Sequence, residues 1–193
     1  MAKIFEKSLP LIVAVLLAST PAALGEPTAL DLNHTSTYFT AKHLLISSVP
    51  GYIPVTSAKM ELASGNIPSS IEAVMDLNKI DTHNERRDND LRSERFLDVA
   101  RYPEMTFKST KITPGKRGTF TVNGDLTIRG VTKPVVLSGS VSEAIKDDKG
   151  RTHVGYAANT TIDRTEWGVG ATIPPAIVSK EIAINIEAEA ILQ

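Results

Sequence analysis

The sequence contains no cysteine, which excludes disulfide bonds, thiolate catalysis and thiolate-ligated metal sites. Aromatic residues make up only 5% of the 193 residues, and Trp167 is the single tryptophan. The formal net charge is only −1 at pH 7, so the overall charge gives no reason to expect nucleic acid as a partner. The chain is nevertheless long enough to build one domain around a hydrophobic core.

A long apolar run is also missing, because the N-terminal run Leu9–Ala18 is too short to span a bilayer. Lys3 and Lys7 precede this run, and small residues follow it up to Gly25. A basic start, a short apolar centre and small residues before a cleavage point are typical of a secretory signal peptide. The sequence therefore predicts a signal peptide over residues 1–25, followed by one exported domain over residues 26–193.

Period-two alternation dominates the rest of the chain. From Phe120 to Ile128 every second residue is apolar or small, and the residues between them are polar. This pattern predicts strands with one face in a core and one in water. Eight strands are expected, at about 35–46, 52–63, 69–79, 104–112, 117–129, 132–146, 151–163 and 180–191. Eight long strands predict a closed all-β antiparallel barrel, filled by side chains or holding one small ligand.

The segment 82–101 lacks this alternation and mixes five arginines with five acidic residues. Thr82 and Glu85 have the spacing of a capping box, which predicts the first turn of a helix. Ser93 is the predicted cap of a second short helix, which contains Phe96. A single long excursion from a barrel is often a lid or a binding loop.

Several motifs resemble those of the YceI-like family. They are an opening His34-Thr35-Ser36, the excursion pattern from Asp81 to Asp98, Tyr102-Pro103, the run Asn123–Val135 and Arg164–Gly168. The resemblance extends over essentially all of residues 26–193. The sequence departs from the family pattern around Pro54, which cannot donate to a strand ladder and therefore predicts a bulge or an open edge.

The resemblance implies a lipocalin-like barrel in a bacterial periplasm, with an apolar interior that accommodates an isoprenoid chain. The expected ligand is a polyisoprenoid or an isoprenoid quinone, with no other cofactor. Together with the alternation, this predicts ligand contacts in the barrel and its mouth from Phe39, His43, Met75, Leu77, Phe96, Phe107, Phe120, Leu126, Ile128 and Trp167. Guanidinium groups bind phosphate and quinone oxygens well, so head-group contacts are expected from Arg87, Arg92 and Arg95.

Other interpretations remain open from the residues alone. Small inward residues such as Gly124 and Gly139 leave room either for neighbouring side chains or for a ligand. A lipid hydrolase and a ligand-free interaction module are the alternative functions. His83 and Glu85 do not fit a known metal-ligand spacing, so neither a metal nor a catalytic residue is expected. The oligomeric state is not determined, with a homodimer as one option, and transient membrane contact is compatible with a lipid carrier.

The signal peptide can be tested directly. We expect the exported protein to begin near Glu26, because the small residues that a signal peptidase reads end at Gly25. N-terminal sequencing of protein recovered from outside the cytoplasm checks this. Retention of Met1 in the exported form would contradict it.

Overall fold

The computed structural model describes residues 27–192, so the predicted signal peptide lies outside the described residues. One α-helix, α1 (Glu85–Arg92), accompanies ten strands. The strands are β1 (Pro27–Leu30), β2 (Ser36–His43), β3 (Ser47–Leu62), β4 (Pro68–Asp76), β5 (Glu104–Pro114), β6 (Thr119–Ile128), β7 (Val131–Val141), β8 (Ile145–Lys146), β9 (Thr152–Asp163) and β10 (Glu181–Leu192). No helix in this part of the chain has the length and apolar content needed to cross a membrane.

Eight long strands close into an antiparallel barrel, as the alternation predicted. Neighbours along the sheet are β2, β3, β4, β5, β6, β7, β9 and β10, and β10 pairs with β2 to complete the circle. The seam between β9 and β10 is a continuous ladder from Glu181 opposite Asp163 to Leu192 opposite Thr152. The sequence did not predict β1 and β8 as separate strands. A 3-10 turn connects β1 to β2, and β1 pairs with β3 and β10. The two-residue strand β8 pairs with β9.

Pro54 lies where the ladder between β2 and β3 ends, opposite Ser36. The next residue, Val55, begins a register shift against β4 that extends to Ser57. A proline has no N–H to donate, and the irregularity in β3 lies directly after it, between Val55 and Ser57. A bulge was predicted at Pro54, and the structure has one in the next residues of the strand.

Three phenylalanine rings lie flat against glycines of the barrel wall. A Cβ atom built on any of these glycines would collide with the neighbouring ring. The three pairs are Phe39 on Gly51, Phe107 on Gly124 and Phe120 on Gly139. The space beside these glycines is therefore occupied by side chains, which decides between the two interpretations of the small inward residues at Gly124 and Gly139.

The barrel has two different ends. The helix end carries the turns 44–46 and 129–130 and the two long segments 77–103 and 164–180. The opposite end, here called the terminal end, carries the connections 63–67, 115–118 and 142–151 and the first and last described residues. Within residues 27–192, every segment long enough to cover an opening of the barrel lies at the helix end or in 142–151.

The helix α1 begins differently from the sequence-based expectation. Its N-cap is Asn84, whose side chain accepts a hydrogen bond from the Arg87 N–H at 3.0 Å. Thr82 is instead buried, and its N–H and hydroxyl both donate to Asp88 Oδ1, at 2.9 and 2.5 Å. His83 has a φ of 58°, which turns the chain between these two residues. Ser93 ends α1 as its C-cap, and the residues after it form turns rather than the expected second helix.

Phe96, Leu97 and Val99 follow α1 and are buried across the helix end. They belong to the segment 77–103, which forms one cover of the helix end. The segment 164–180 forms the other cover, and Arg164, which is 3% exposed, holds it together. Its guanidinium donates five hydrogen bonds to main-chain carbonyls, those of Val169, Gly170, Ile173, Val178 and Ser179. Burial lowers the pKa of Arg164 from its ordinary value, while the nearby Asp163 opposes that shift. The two covers meet where Phe96 packs against Gly170.

At the terminal end, His153 links the barrel seam to the connection before β9. Its Nδ1 lies 2.6 Å from Glu189 Oε1 and its Nε2 lies 3.1 Å from Asp147 Oδ2. The hydrogen bonds with Glu189 and then Asp147 raise the pKa of the imidazole. Asp147 also accepts from Arg151 Nε at 2.7 Å.

Phe96→Ala should lower the free energy of unfolding by about 3 kcal/mol, because it removes a buried ring that holds the two covers together. Urea denaturation followed by circular dichroism measures this. Leu45→Ala is the control, since Leu45 is 67% exposed and should change stability by less than about 0.5 kcal/mol. Equal effects of the two substitutions would show that Phe96 does not hold the covers together.

His153→Gln should change how stability depends on pH. Because folding raises the pKa of His153, its contribution is complete below the unfolded-state value, near 6.5, and is lost as the pH rises through the folded-state value. The parent protein should therefore lose stability relative to His153→Gln between pH 6 and 9. Urea unfolding across this range checks it, with His83→Gln as an exposed control. Parallel profiles for the parent and His153→Gln would contradict the expectation.

Candidate functional site

The barrel encloses an apolar cavity of about 130 Å³ on the side of the terminal end, here called the distal cavity. Its lining contains no charged side chain among the described residues. Met60, Met75 and Met105, which are all the methionines after Met1, border it. Of the ligand contacts expected from the sequence, four lie here: Met75, Phe107, Phe120 and Leu126.

A second apolar cavity of about 110 Å³, the proximal cavity, lies under the covers of the helix end. Four further residues expected from the sequence line it: Phe39, Leu77, Phe96 and Ile128. Thr37, Met105 and Ile184 border both cavities. The two cavities therefore follow one another along the barrel and are separated only by this layer of three side chains.

An open groove of about 990 Å³, the mouth groove, lies outside the proximal cavity between α1, the end of β2 and the segment 164–180. The groove and the proximal cavity share five lining residues, namely Phe39, Ala41, Leu91, Phe96 and Val178. These side chains form the partition between the apolar interior and the solvent.

The mouth groove is basic. Lys42, Arg86, Arg87 and Arg95 line it, and Asp90 is the only carboxylate in its described lining. This excess of positive charge contrasts with the formal net charge of −1 for the whole chain. An anionic or strongly polar group would therefore be attracted to the outer side of the partition.

The three arginines expected to contact a head group do not have equivalent positions. Arg87 donates from Nε to Thr82 Oγ1 at 2.7 Å and from its second terminal nitrogen to the Thr82 carbonyl at 2.6 Å. Arg92 donates to the carbonyls of Asn78 and Ile80, so both side chains stabilise the covering segment itself. Arg95 is exposed in the groove, with its guanidinium 5.9 Å from the centre of the Phe96 ring.

The sequence pattern did not predict that Lys42 and Arg86 line the groove. Arg86 is exposed on α1, one position before the internally bonded Arg87. Lys42 comes from the far end of β2, more than forty residues earlier in the chain. The signal that would have identified it is its position directly after the inward pair Phe39 and Ala41, at the end of the strand.

Two other expected contacts lie elsewhere. His43 has the inward parity of Phe39 but lies at the last position of β2, beyond the barrel wall, so it is exposed and borders the mouth groove. Trp167 is 3% exposed and its Nε1 donates to the Leu126 carbonyl at 3.0 Å. It lines neither cavity and packs in the hydrophobic core.

A separate polar cluster lies on the outer wall beyond the barrel interior. Asp31, His34 and Glu189 each present one ligand-type atom, and these atoms lie within 4.8 Å of one another. His34 Nδ1 is 2.9 Å from Asp31 Oδ2, and Glu189 also pairs with His153. Hydrogen bonding and attraction from Asp31 raise the pKa of His34. Each imidazole has a carboxylate partner, so ion pairing accounts for the cluster.

Comparisons with known proteins support the fold and motifs. A UPF0312 protein of Vibrio parahaemolyticus is 31% identical over 153 residues, which is 79% of this chain and 81% of that protein. The crystal structure of a YceI protein from Campylobacter jejuni matches with a TM-score of 0.73 and 29% identity, over 79% of this chain and 90% of that one.

A more distant structure is a polyisoprenoid binding domain from Saccharophagus degradans. It superimposes with a TM-score of 0.61 at 13% identity, over 86% of this chain and 98% of that one, and therefore supports the fold alone. The model of the YceI-like domain matches residues 29–190, which include both covers of the helix end and the eight long strands except for the last two residues of β10. The chain belongs to the YceI-like family.

Proposed function

We propose that this protein is a periplasmic carrier that holds the hydrocarbon tail of a long-chain isoprenoid lipid inside its barrel. The observation that carries the proposal is the alignment of two apolar cavities with a basic groove along one path. The tail would occupy the distal and proximal cavities, and the polar head would lie in the mouth groove. The polyisoprenoid binding domain of Saccharophagus degradans, which shares the fold, supports this choice of ligand class.

The cavity volumes suit isoprenoid units. An apolar cavity of about 150 Å³ accepts a six-carbon benzene ring, so cavities of 130 and 110 Å³ each suit roughly one five-carbon unit. Burying five carbons contributes about 4 kcal/mol relative to water, at roughly 0.8 kcal/mol per carbon. Small cavities that follow one another match a ligand made of short repeated units.

The two cavities together have room for only about two five-carbon units, so a longer tail requires the interior side chains to move and both cavities to widen. Met105 belongs to the separating layer, and Met60 and Met75 border the distal cavity. Methionine is unbranched and has three rotatable bonds, so it adapts its shape at a small energetic cost. The barrel wall can therefore stay closed while its interior adjusts to the tail.

The head group would be bound by the groove cations whose side chains point to solvent. Arg95, Arg86 and Lys42 are exposed, and Lys42 Nζ also donates to the exposed Ser48 Oγ at 2.7 Å, whereas Arg87 and Arg92 are engaged with the covering segment. A phosphate or quinone oxygen would accept charge-assisted hydrogen bonds there. Because a bilayer solvates the tail as well as the barrel does, these polar contacts would favour binding to the protein.

A direct test is to incubate residues 26–193 with octaprenol, remove free lipid by gel filtration and quantify the extracted lipid by mass spectrometry. We expect close to one octaprenol per chain. No retained octaprenol, with the protein folded, would contradict the proposed function.

Ala158→Leu should reduce octaprenol retention roughly ten-fold, equivalent to about 1.4 kcal/mol, because the added carbons project into the distal cavity. Ala183→Leu is the matched control, since Ala183 lies on a neighbouring strand and is exposed. Retention is measured as above, and thermal unfolding confirms that both variants are folded. Equal retention by the two variants would show that the distal cavity does not hold the tail.

A further inference from the structure

The helix end carries a cluster of exposed aliphatic side chains beside the mouth groove. Leu44, Leu45 and Ile46 form the turn between β2 and β3 and are 48%, 67% and 80% exposed, and Ile177 is 43% exposed. The Leu44 N–H donates to the Ile177 carbonyl at 3.0 Å, which fixes the turn to the segment 164–180. These four residues are called the aliphatic corner below.

The turn is an unusual place for leucine. Leu44 and Leu45 have φ values of 50° and 61°, and the Ile46 N–H donates to the His43 carbonyl at 3.2 Å. A tight turn with two successive residues at positive φ favours asparagine and glycine, because bulky side chains are strained there. Small residues would adopt this turn with less strain, so the exposed leucines indicate a role other than stabilising the fold.

The corner adjoins the basic groove. Ile177 lines the groove, and Lys42, two residues before Leu44, also lines it. The main chain joins these parts, since the Ser179 N–H donates to the Lys42 carbonyl at 2.9 Å. Aliphatic side chains that project beyond a basic surface are typical of proteins that bind the interface of an anionic bilayer.

We propose that the aliphatic corner docks on a bilayer containing anionic lipids, with Leu45 and Ile46 entering the interface and Lys42 and Arg86 near lipid phosphates. Docking in this orientation holds the mouth groove at the bilayer surface. A lipid tail then passes between bilayer and barrel without crossing water. This last step rests on the proposed function, whereas the docking does not.

The hydrophobic arm of the test uses co-sedimentation of residues 26–193 with vesicles. The vesicles contain either phosphatidylcholine alone or phosphatidylcholine with 30% phosphatidylglycerol. We expect the parent protein to bind the anionic vesicles, and Leu45→Ser/Ile46→Ser to lower the bound fraction at least five-fold. Ile145→Ser is the matched control, because Ile145 is 68% exposed at the terminal end, and it should bind like the parent protein.

The electrostatic arm compares Lys42→Gln/Arg86→Gln with Lys146→Gln/Lys149→Gln, a pair of exposed lysines at the terminal end. The first variant should lose the preference for phosphatidylglycerol, and the second should keep it. Raising the salt from 0.1 to 0.5 M should weaken binding of the parent protein and have little effect on what remains in the first variant.

Equal binding by Leu45→Ser/Ile46→Ser and Ile145→Ser would overturn the proposal. So would failure of the parent protein to bind anionic vesicles, in which case a protein partner is the better explanation of the corner. Octaprenol retention is measured separately in solution, where Leu45→Ser/Ile46→Ser should match the parent protein because neither residue lines a cavity. Vesicle binding without octaprenol retention would contradict the proposed lipid-carrier function and still support the proposed docking surface.

Discussion

The continuous ladder between β9 and β10 determines how the interior can be reached. Because β10 also pairs with β2, the eight long strands form a closed circle, in which the shortest ladder joins β7 and β9 from Ser138 opposite Asn159 to Val141 opposite Tyr156. We therefore expect a ligand to enter through one end of the barrel. The basic groove and the two longest covering segments lie at the helix end, so the features that control entry are concentrated there.

The two covers at that end are held by different interactions. The segment 164–180 is tied by five hydrogen bonds from the buried Arg164 to its own carbonyls, which makes it a rigid unit. The segment around α1 is tied by the buried Asp88, which accepts from Thr82. Phe96 packs on Gly170 where the two covers meet, and Arg129 bridges them, since it donates to the Gly168 carbonyl at 2.5 Å and its second terminal nitrogen lies 3.9 Å from Asp98 Oδ2. Separating the two covers would therefore break the contact of Arg129 with one of them.

The sequence predicted the barrel because alternation is a local property of each strand. It placed eight of the ten strands and assigned Met75, Phe107, Phe120 and Leu126 to the interior. It failed where the outcome depends on residues distant in the chain. The pairing of Phe120 with Gly139 requires the register between β6 and β7, and register is not visible in one strand alone.

The errors at the helix end have a local cause, which is a backbone conformation that the residue pattern does not show. Thr82 and Glu85 have capping-box spacing, but the turn at His83 makes Asn84 the cap and buries Thr82 against Asp88. Once Thr82 is buried, its hydroxyl and carbonyl become acceptors for Arg87, which removes that arginine from the groove.

The proposed tail contacts would provide little discrimination among apolar lipids, because flexible methionines line the distal cavity and no charged group fixes a position there. Transfer of a tail from a bilayer to the barrel exchanges one apolar surrounding for another, so hydrophobic burial contributes little to the free energy of transfer. Selectivity must then come from the polar side of the partition formed by Phe39, Leu91 and Phe96. The basic groove lies directly outside that partition, and the aliphatic corner lies beside the groove. Under the two proposals, recognition of the head group and contact with the bilayer would therefore occur at one end of the barrel, where a lipid could be exchanged while its tail stays shielded from water.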